Sequence, residues 1–304
     1  MRDCFCVVSI GLCLLASADA FGAGSTAASF LRIAVGAKNI AMGETGVTEK
    51  DANAAYWNPA GLTGLEGRSI SLMHTVWLED VTLQNATYAH KIGNGALAVS
   101  GTYLAVPEIM KYDNTGLSEN TTFRPSDTAL GISYASRVRN VPLGVSLKYI
   151  TSQIDGKTAS AVAADVGLLL KPATMGGRGL QAGISLQNIG SSMKFLNDAE
   201  PLPFNIKVGA MYTFSESFAA ALDINKAIDI DPTANAGLQY QHYFEERLYV
   251  AVRGGYRTNV KGLGGMAGLT SGLGIGYRGI AIDYALVPYG DLSDTHRLSL
   301  CYNF

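Results

Sequence analysis

Long apolar runs are what this chain lacks most clearly. After the first twenty residues no stretch of about 18 or more apolar residues occurs, which excludes a bundle of membrane-spanning helices. Charge is also scarce. Asp, Glu, Lys and Arg make up 16% of the 304 residues, against roughly 25% in soluble domains. The net charge of −2 and the absence of a basic stripe leave no footprint for a nucleic-acid partner. Histidine is rare: His74, His90, His242 and His296 are the whole set, and none stands at metal-ligand spacing from another His or a Cys. No Gly-x-Ser-x-Gly motif is present. Neither a metal, a cofactor nor a catalytic site is therefore expected, and the chain is read as a non-enzyme. Cys4, Cys6 and Cys13 fall near the N-terminus and only Cys301 lies beyond, so no internal disulfide is expected in the body of the chain.

What is present is alternation. Mean hydropathy is positive at +0.16, and the chain carries 35 Gly and 15 Tyr. Fourteen segments read apolar–polar–apolar–polar: 69–77, 81–91, 96–104, 127–137, 142–152, 160–171, 179–188, 203–213, 217–226, 233–243, 247–256, 266–277, 279–287 and 295–304. Side chains on a strand point alternately to opposite faces. In the last segment Leu298, Leu300, Tyr302 and Phe304 share one face, and Arg297, Ser299, Cys301 and Asn303 share the other. The same sorting holds for Leu143, Val145, Leu147 and Tyr149 against Gly144, Ser146 and Lys148. It holds again for Ile280, Ile282, Tyr284 and Leu286 against Ala281, Asp283 and Ala285. A basic residue on a lipid face at mid-membrane costs about 2–4 kcal/mol, which gives the sorting a cause. Leu300→Arg is accordingly expected to be damaging, and Ser299→Arg, facing water, milder.

The links between segments alternate too. Short ones follow the even segments, such as Gly93-Asn94-Gly95 and Val138-Arg139-Asn140. Generally longer ones follow the odd segments, such as 105–126 and 189–202. Outer-membrane barrels have short periplasmic turns and longer outer loops. The expected fold is therefore all-β: a transmembrane, antiparallel, up-and-down β-barrel of fourteen strands in the outer membrane, with outer-membrane lipid around it. An even strand count places both chain ends in the periplasm.

Before the strands lie two other regions. Arg2, an uncharged and mostly apolar stretch over 4–18, and Ala18-Asp19-Ala20 read as a cleavable signal peptide over 1–20. Residues 21–67 do not alternate and are read as a hatch or plug that folds back into a barrel of residues 68–304. In it, Asn58-Pro59-Ala60-Gly61 predicts a tight turn, since Pro59 lacks an N–H and Gly61 tolerates unusual φ. Tyr56, Trp57, Asn58 and Pro59 are candidates for a ligand gate or for a structural wedge. The lumen-side charges are Lys148, Asp165, Lys207, Asp223, Arg253, Asp283 and Arg297. Their near balance favours a cross-lumen ion-pair network over a polar conduit. Gly272, Gly274 and Gly276 share one face and predict a smooth inner wall where other groups come close.

Several stretches resemble a known group. Phe30-Leu31-Arg32-Ile33-Ala34, Ala41-Met42-Gly43-Glu44-Thr45-Gly46 and Tyr56-Trp57-Asn58-Pro59-Ala60-Gly61-Leu62 resemble the N-terminal segment of PorV/PorQ-type proteins, within the FadL-like outer-membrane barrels. Leu186-Gln187-Asn188-Ile189-Gly190 and Thr295-His296-Arg297 are similar to later landmarks of that group. The resemblance implies fourteen strands, an N-terminal hatch and passage of hydrophobic small molecules such as long-chain fatty acids. For the PorV branch it implies instead a barrel of a secretion system that binds or shuttles exported proteins. Phe304 at the end of the last segment resembles the signal read by barrel-assembly machinery.

Overall fold

The computed structural model describes residues 25–175, 178–245, 247–258, 260 and 264–304. The signal-peptide reading of 1–20 lies outside these residues. Eighteen strands follow in chain order: β1 (Arg68–Val76), β2 (Thr82–Ile92), β3 (Gly95–Ala105), β4 (Ile109–Tyr112), β5 (Ser118–Phe123), β6 (Ser126–Val138), β7 (Val141–Ile154), β8 (Lys157–Met175), β9 (Arg178–Gly190), β10 (Met193–Phe195), β11 (Asp198–Glu200), β12 (Asn205–Thr213), β13 (Phe218–Ala227), β14 (Thr233–Glu245), β15 (Leu248–Arg257), β16 (Leu269–Tyr277), β17 (Ile280–Pro288) and β18 (Asp294–Asn303). Fourteen of them close into an antiparallel barrel in which each strand pairs with its neighbours along the chain, and β18 closes on β1. The other four form two small hairpins, β4–β5 and β10–β11, inside the long links after β3 and β9.

Each expected segment falls on one barrel strand, with ends that shift by a few residues. β12 starts at Asn205 rather than 203, because Pro203 has no N–H to give a ladder. The register is fixed by tight turns. Arg139 and Asn140, at φ 48° and 67°, join β6 to β7, the left-handed pair that a two-residue hairpin with right-handed twist requires.

The face assignment follows the alternation. Leu298, Leu300 and Tyr302 are exposed along β18, while Thr295, Arg297, Ser299 and Cys301 between them are buried. Leu130, Ile132, Val145, Leu147, Leu222, Leu238, Val252, Leu273, Ile275 and Ile282 extend the exposed apolar band round the wall. Such a surface is tenable only against lipid. Exposed aromatics collect near its rims: Tyr88, Tyr134, Tyr240, Tyr277, Tyr302 and Phe304 toward the short-turn end, and Tyr103, Tyr256 and Tyr284 toward the loop end. These are the positions where amphipathic rings meet the bilayer interfaces.

The core lies inside the barrel. Residues 25–67 form short pieces: 3₁₀ turns at Ser29–Arg32 and Pro59–Gly64, and helices at Ala37–Ala41 and Ala54–Trp57. Val35, Ile40 and Trp57 from this segment pack in one buried cluster with Ile150 and Val287 of the wall. Close approach demands glycine on the wall: a Cβ on Gly144 would lie 2.3 Å from the Ala60 nitrogen, and one on Gly255 2.1 Å from the Gly43 nitrogen. Gly272 faces Ala41 in the same way, whereas Gly274 and Gly276 make room for Arg253 and the Tyr249 ring.

One expectation is corrected. The segment does not enter and leave at the same end. Ala27 donates its N–H to the Pro201 carbonyl, 2.9 Å away in the link before β12, at the loop end. Gly67 accepts the Lys91 N–H at 2.9 Å, at the short-turn end. Strand parity fixes only where β1 begins and β18 finishes; residues 27–67 run from the loop end of the lumen to the short-turn end.

Candidate functional site

The site grows from Asn58, which is fully buried. Its Oδ1 accepts the Ala60 N–H at 3.2 Å, and its Nδ2 donates to the carbonyls of Val47 (2.9 Å) and Leu168 (3.2 Å). One amide thus caps a helix start and pins the segment to β8. The expected tight turn is longer than four residues: Pro59 occupies the first position of the 3₁₀ helix Pro59–Gly64, where its missing N–H costs nothing. Trp57 Nε1 donates to Val35 O at 2.9 Å, and Tyr56 OH donates to Leu31 O at 3.3 Å. The two rings meet edge to face with centroids 5.1 Å apart. Gln187 of β9 donates to the carbonyls of both residues, at 2.6 and 3.1 Å.

The lumen-side charges do not form one cross-lumen network. Most are satisfied locally, because a carboxylate in a crowded interior is best paired with the nearest donor. Lys148 pairs with Asp165 of the adjacent strand at 2.8 Å, and Arg253 with Asp283 at 2.6 Å. Asp223 instead accepts the backbone N–H groups of Gly46 and Val47, at 2.7 and 3.0 Å. The Lys207 ammonium lies over the rings of Trp57 (4.4 Å) and Tyr56 (5.3 Å). Arg297 lies 3.6 Å from Glu44 and over the Trp77 ring. The Leu186–Gly190 landmark is an irregularity in β9: the pairing with β8 shifts register between Ala164 and Val166, and Asn188 takes φ 60°.

Several groups escaped sequence reasoning. Glu44 takes a hydrogen bond from Arg257 at 2.7 Å, Arg32 pairs with Asp229 at 2.6 Å, and Lys38 pairs with Glu49 and Asp51 at 2.8 and 3.3 Å. Glu44, Lys38, Glu49 and Asp51 lie where nothing alternates, so no face could be read. Burial opposes the charge on Lys38, yet the Glu49 and Asp51 carboxylates outweigh it and hold its proton more tightly than in free lysine. Burial would likewise raise the Glu44 carboxyl, but Arg257 and then Arg297 more than offset that and keep it below its ordinary value. Ser299, expected to face water, is buried, and its Oγ accepts the Ala37 N–H at 2.8 Å.

Among the described residues, three cavities adjoin the segment. An open bowl of about 620 Å³ at the short-turn end is lined by Lys38, Glu49, Asp51, Arg68 and Asp283 among others. Two small cavities flank Tyr56. One of about 40 Å³ is walled by Phe30, Leu31, Ile33, Ala129 and Leu130 together with Lys148. The other, of about 70 Å³, is lined by Leu31, Arg32, Trp57 and Lys207 among others.

The family profile for the type IX secretion system protein PorV matches residues 17–234. This chain belongs to the PorV family. No curated protein sequence matches it. Among solved structures, the barrel is similar to the Pseudomonas putida toluene transporter TodX, at 12% identity and TM-score 0.57, covering 89% of this chain and 98% of TodX. The Ralstonia pickettii toluene transporter TbuX gives 12% identity, TM-score 0.59 and the same coverages. A Pseudomonas aeruginosa FadL homologue gives 10% identity and TM-score 0.57, covering 89% of this chain and 98% of its own. At these identities the likeness is one of fold, a closed fourteen-stranded antiparallel barrel.

Proposed function

We propose that this PorV-family barrel admits a hydrophobic small molecule, such as an aromatic hydrocarbon or a long-chain fatty acid, past residues 21–67 acting as a hatch. The observation that carries this reading is the pair of small cavities beside Tyr56. Each is bounded on one side by the N-terminal segment and on the other by the wall. Enlarging either asks only the segment to move, because closed strand ladders keep the wall rigid. Phe30, Leu31 and Ile33 supply apolar surface for such a guest. Tyr56 and Trp57 are the gate, and Asn58 with Pro59 is its anchor. The fold-level neighbours named as toluene transporters support the choice of guest. The test is uptake of radiolabelled toluene and oleate by proteoliposomes. Saturable uptake of either supports the reading, and leakage equal to that of empty liposomes overturns it.

The family match favours a second reading, in which exported proteins dock on the outer loops. The β4–β5 hairpin exposes Tyr112, and its tip exposes Leu117; the tip of the β10–β11 hairpin exposes Leu196. Photo-crosslinkers at Leu117 and Leu196 that capture secreted proteins in the parent cell would support it. In either case export by a cleaved signal over 1–20, and insertion by barrel-assembly machinery that reads the terminal Phe304, complete the proposal.

A further inference from the structure

The cavity of about 70 Å³ is charged in a way that the passage of a neutral guest does not explain. Lys207 and Asn205, neighbours on the inward face of β12, line it, and both are more than nine-tenths buried. Among the described residues the Lys207 ammonium makes ring contacts only, over Trp57 and Tyr56. Three amides round the same cavity, those of Asn205, Asn225 and Asn235, each have an Oδ1 atom that is buried and bonded to nothing. Unpaired buried polar groups of this kind cost about 1–3 kcal/mol each, so a ligand that pairs with them gains that much. An amide can present either end by a half-turn.

The surrounding charge fixes the sign. Glu44, also on the lining, is shared by Arg257 and Arg297 behind it. The Nε and Nη2 atoms of Arg257 and the Nε and Nη1 atoms of Arg297 have no hydrogen-bond partner. Lys148 and Asp165 neutralise each other nearby. Around the cavity three cations, Lys207, Arg257 and Arg297, stand against two carboxylates, Glu44 and Asp223, which leaves one positive charge.

We infer that this cavity is an oxyanion site, taking one carboxylate or phosphate group with Lys207 as its charge partner. The amides of Asn205 and Asn225 turn their N–H₂ ends inward to donate to it, while the Asn235 Nδ2 stays on the Glu44 carbonyl at 3.3 Å. The volume of about 70 Å³ exceeds the roughly 10–15 Å³ that a single water needs, so a small head group fits. Leu31 and Arg32 also line the cavity, and Arg32 is held to Asp229. The site stands whether or not a hydrophobic molecule passes the barrel, so its test is a binding test and not an uptake test.

The experiment titrates the full chain in detergent at neutral pH and fixed ionic strength. The probes are sodium acetate, sodium phosphate and sodium octanoate, with sodium chloride as the balancing salt. In a Trp77→Phe background the fluorescence of Trp57, beneath the Lys207 ammonium, is the readout. A saturable change with at least one probe is expected. Lys207→Gln should weaken it roughly tenfold or more, as loss of a charged hydrogen bond does. Asn225→Asp, at a half-buried position, should also weaken it about tenfold by setting like charge against the anion. Response to octanoate alone assigns the oxyanion to an amphiphile head group; response to acetate or phosphate as well assigns it to a free anion. If no probe gives saturation, or if heat-modifiable Asn225→Asp protein titrates like the parent, the inference is overturned. Should Lys207→Gln fail to assemble, Asn225→Asp decides alone.

Discussion

The wall of the barrel and the segment inside it solve the same problem by different means. Both must satisfy every backbone polar group away from bulk water. The wall does so with a repeating ladder, so that one rule, alternation, settles the face of most residues in the fourteen barrel strands. The segment has only short helical pieces and depends on single side chains: Asn58 on Val47 and Leu168, Gln187 on Tyr56 and Trp57, Asp223 on Gly46 and Val47. A repeating solution tolerates local change, and a bespoke one does not. Substitutions aimed at each region should separate the two.

The largest effect is expected in the wall itself, where a buried contact between β15 and β17 carries charge. Arg253→Met leaves Asp283 buried without its partner and should cost about 3–5 kcal/mol, read as a fall in the temperature at which heat-modifiable barrel is lost. Leu300→Arg puts a charge in lipid and should cost about 2–4 kcal/mol if it sits near the midplane. Its neighbour Ser299 turns inward. Because Ser299 meets Ala37 rather than water, Ser299→Arg should cost about 1–3 kcal/mol by overpacking, on top of the lost hydrogen bond, and so is no longer expected to be mild. The yield of heat-modifiable protein in outer-membrane fractions compares the pair; full assembly of Ser299→Arg would mean that the segment packs loosely there.

Acid should act on the segment before the wall. Glu44 has its carboxyl held below the ordinary 4.5, so its contribution is fully present above that value and is lost as pH falls through the lower, folded-state value. The share of protease resistance in residues 25–67 that Glu44 supplies, read as the difference between the parent and Glu44→Gln, should therefore stay constant from neutrality down to about pH 5 and be lost only in stronger acid, with the barrel still heat-modifiable. Onset near neutrality would contradict the Glu44 pairing. Asn58→Ala loses the cap, worth about 0.5–2 kcal/mol, and also the donor to the Val47 and Leu168 carbonyls, worth about 1 kcal/mol each, so it should rank beside Ser299→Arg. Limited proteolysis of the segment, not barrel melting, is the measurement that would show it.

This contrast also explains what could be read in advance. Strand count, faces, short and long ends and the closing strand were legible because each strand repeats the same two-residue signal. The inward positions of Lys148, Asp165, Lys207, Asp223, Arg253, Asp283 and Arg297 followed from that signal. Their partners did not, since pairing depends on strand stagger and on a segment with no period. Glu44 and Arg257 illustrate the loss: one lies in the aperiodic stretch, the other one residue beyond the 247–256 segment, yet together they make a 2.7 Å contact between segment and wall. The path of the segment from loop end to turn end was equally hidden, because strand parity says nothing about the chain before the first strand.

The most direct test of the lumen-filling segment is electrical. Single-channel conductance in planar bilayers should be compared between the full chain and one lacking residues 25–64, both shown to be heat-modifiable. A segment that fills the lumen predicts a nearly silent full chain and large, stable conductance steps after the deletion. Equal conductance in the two proteins would contradict it.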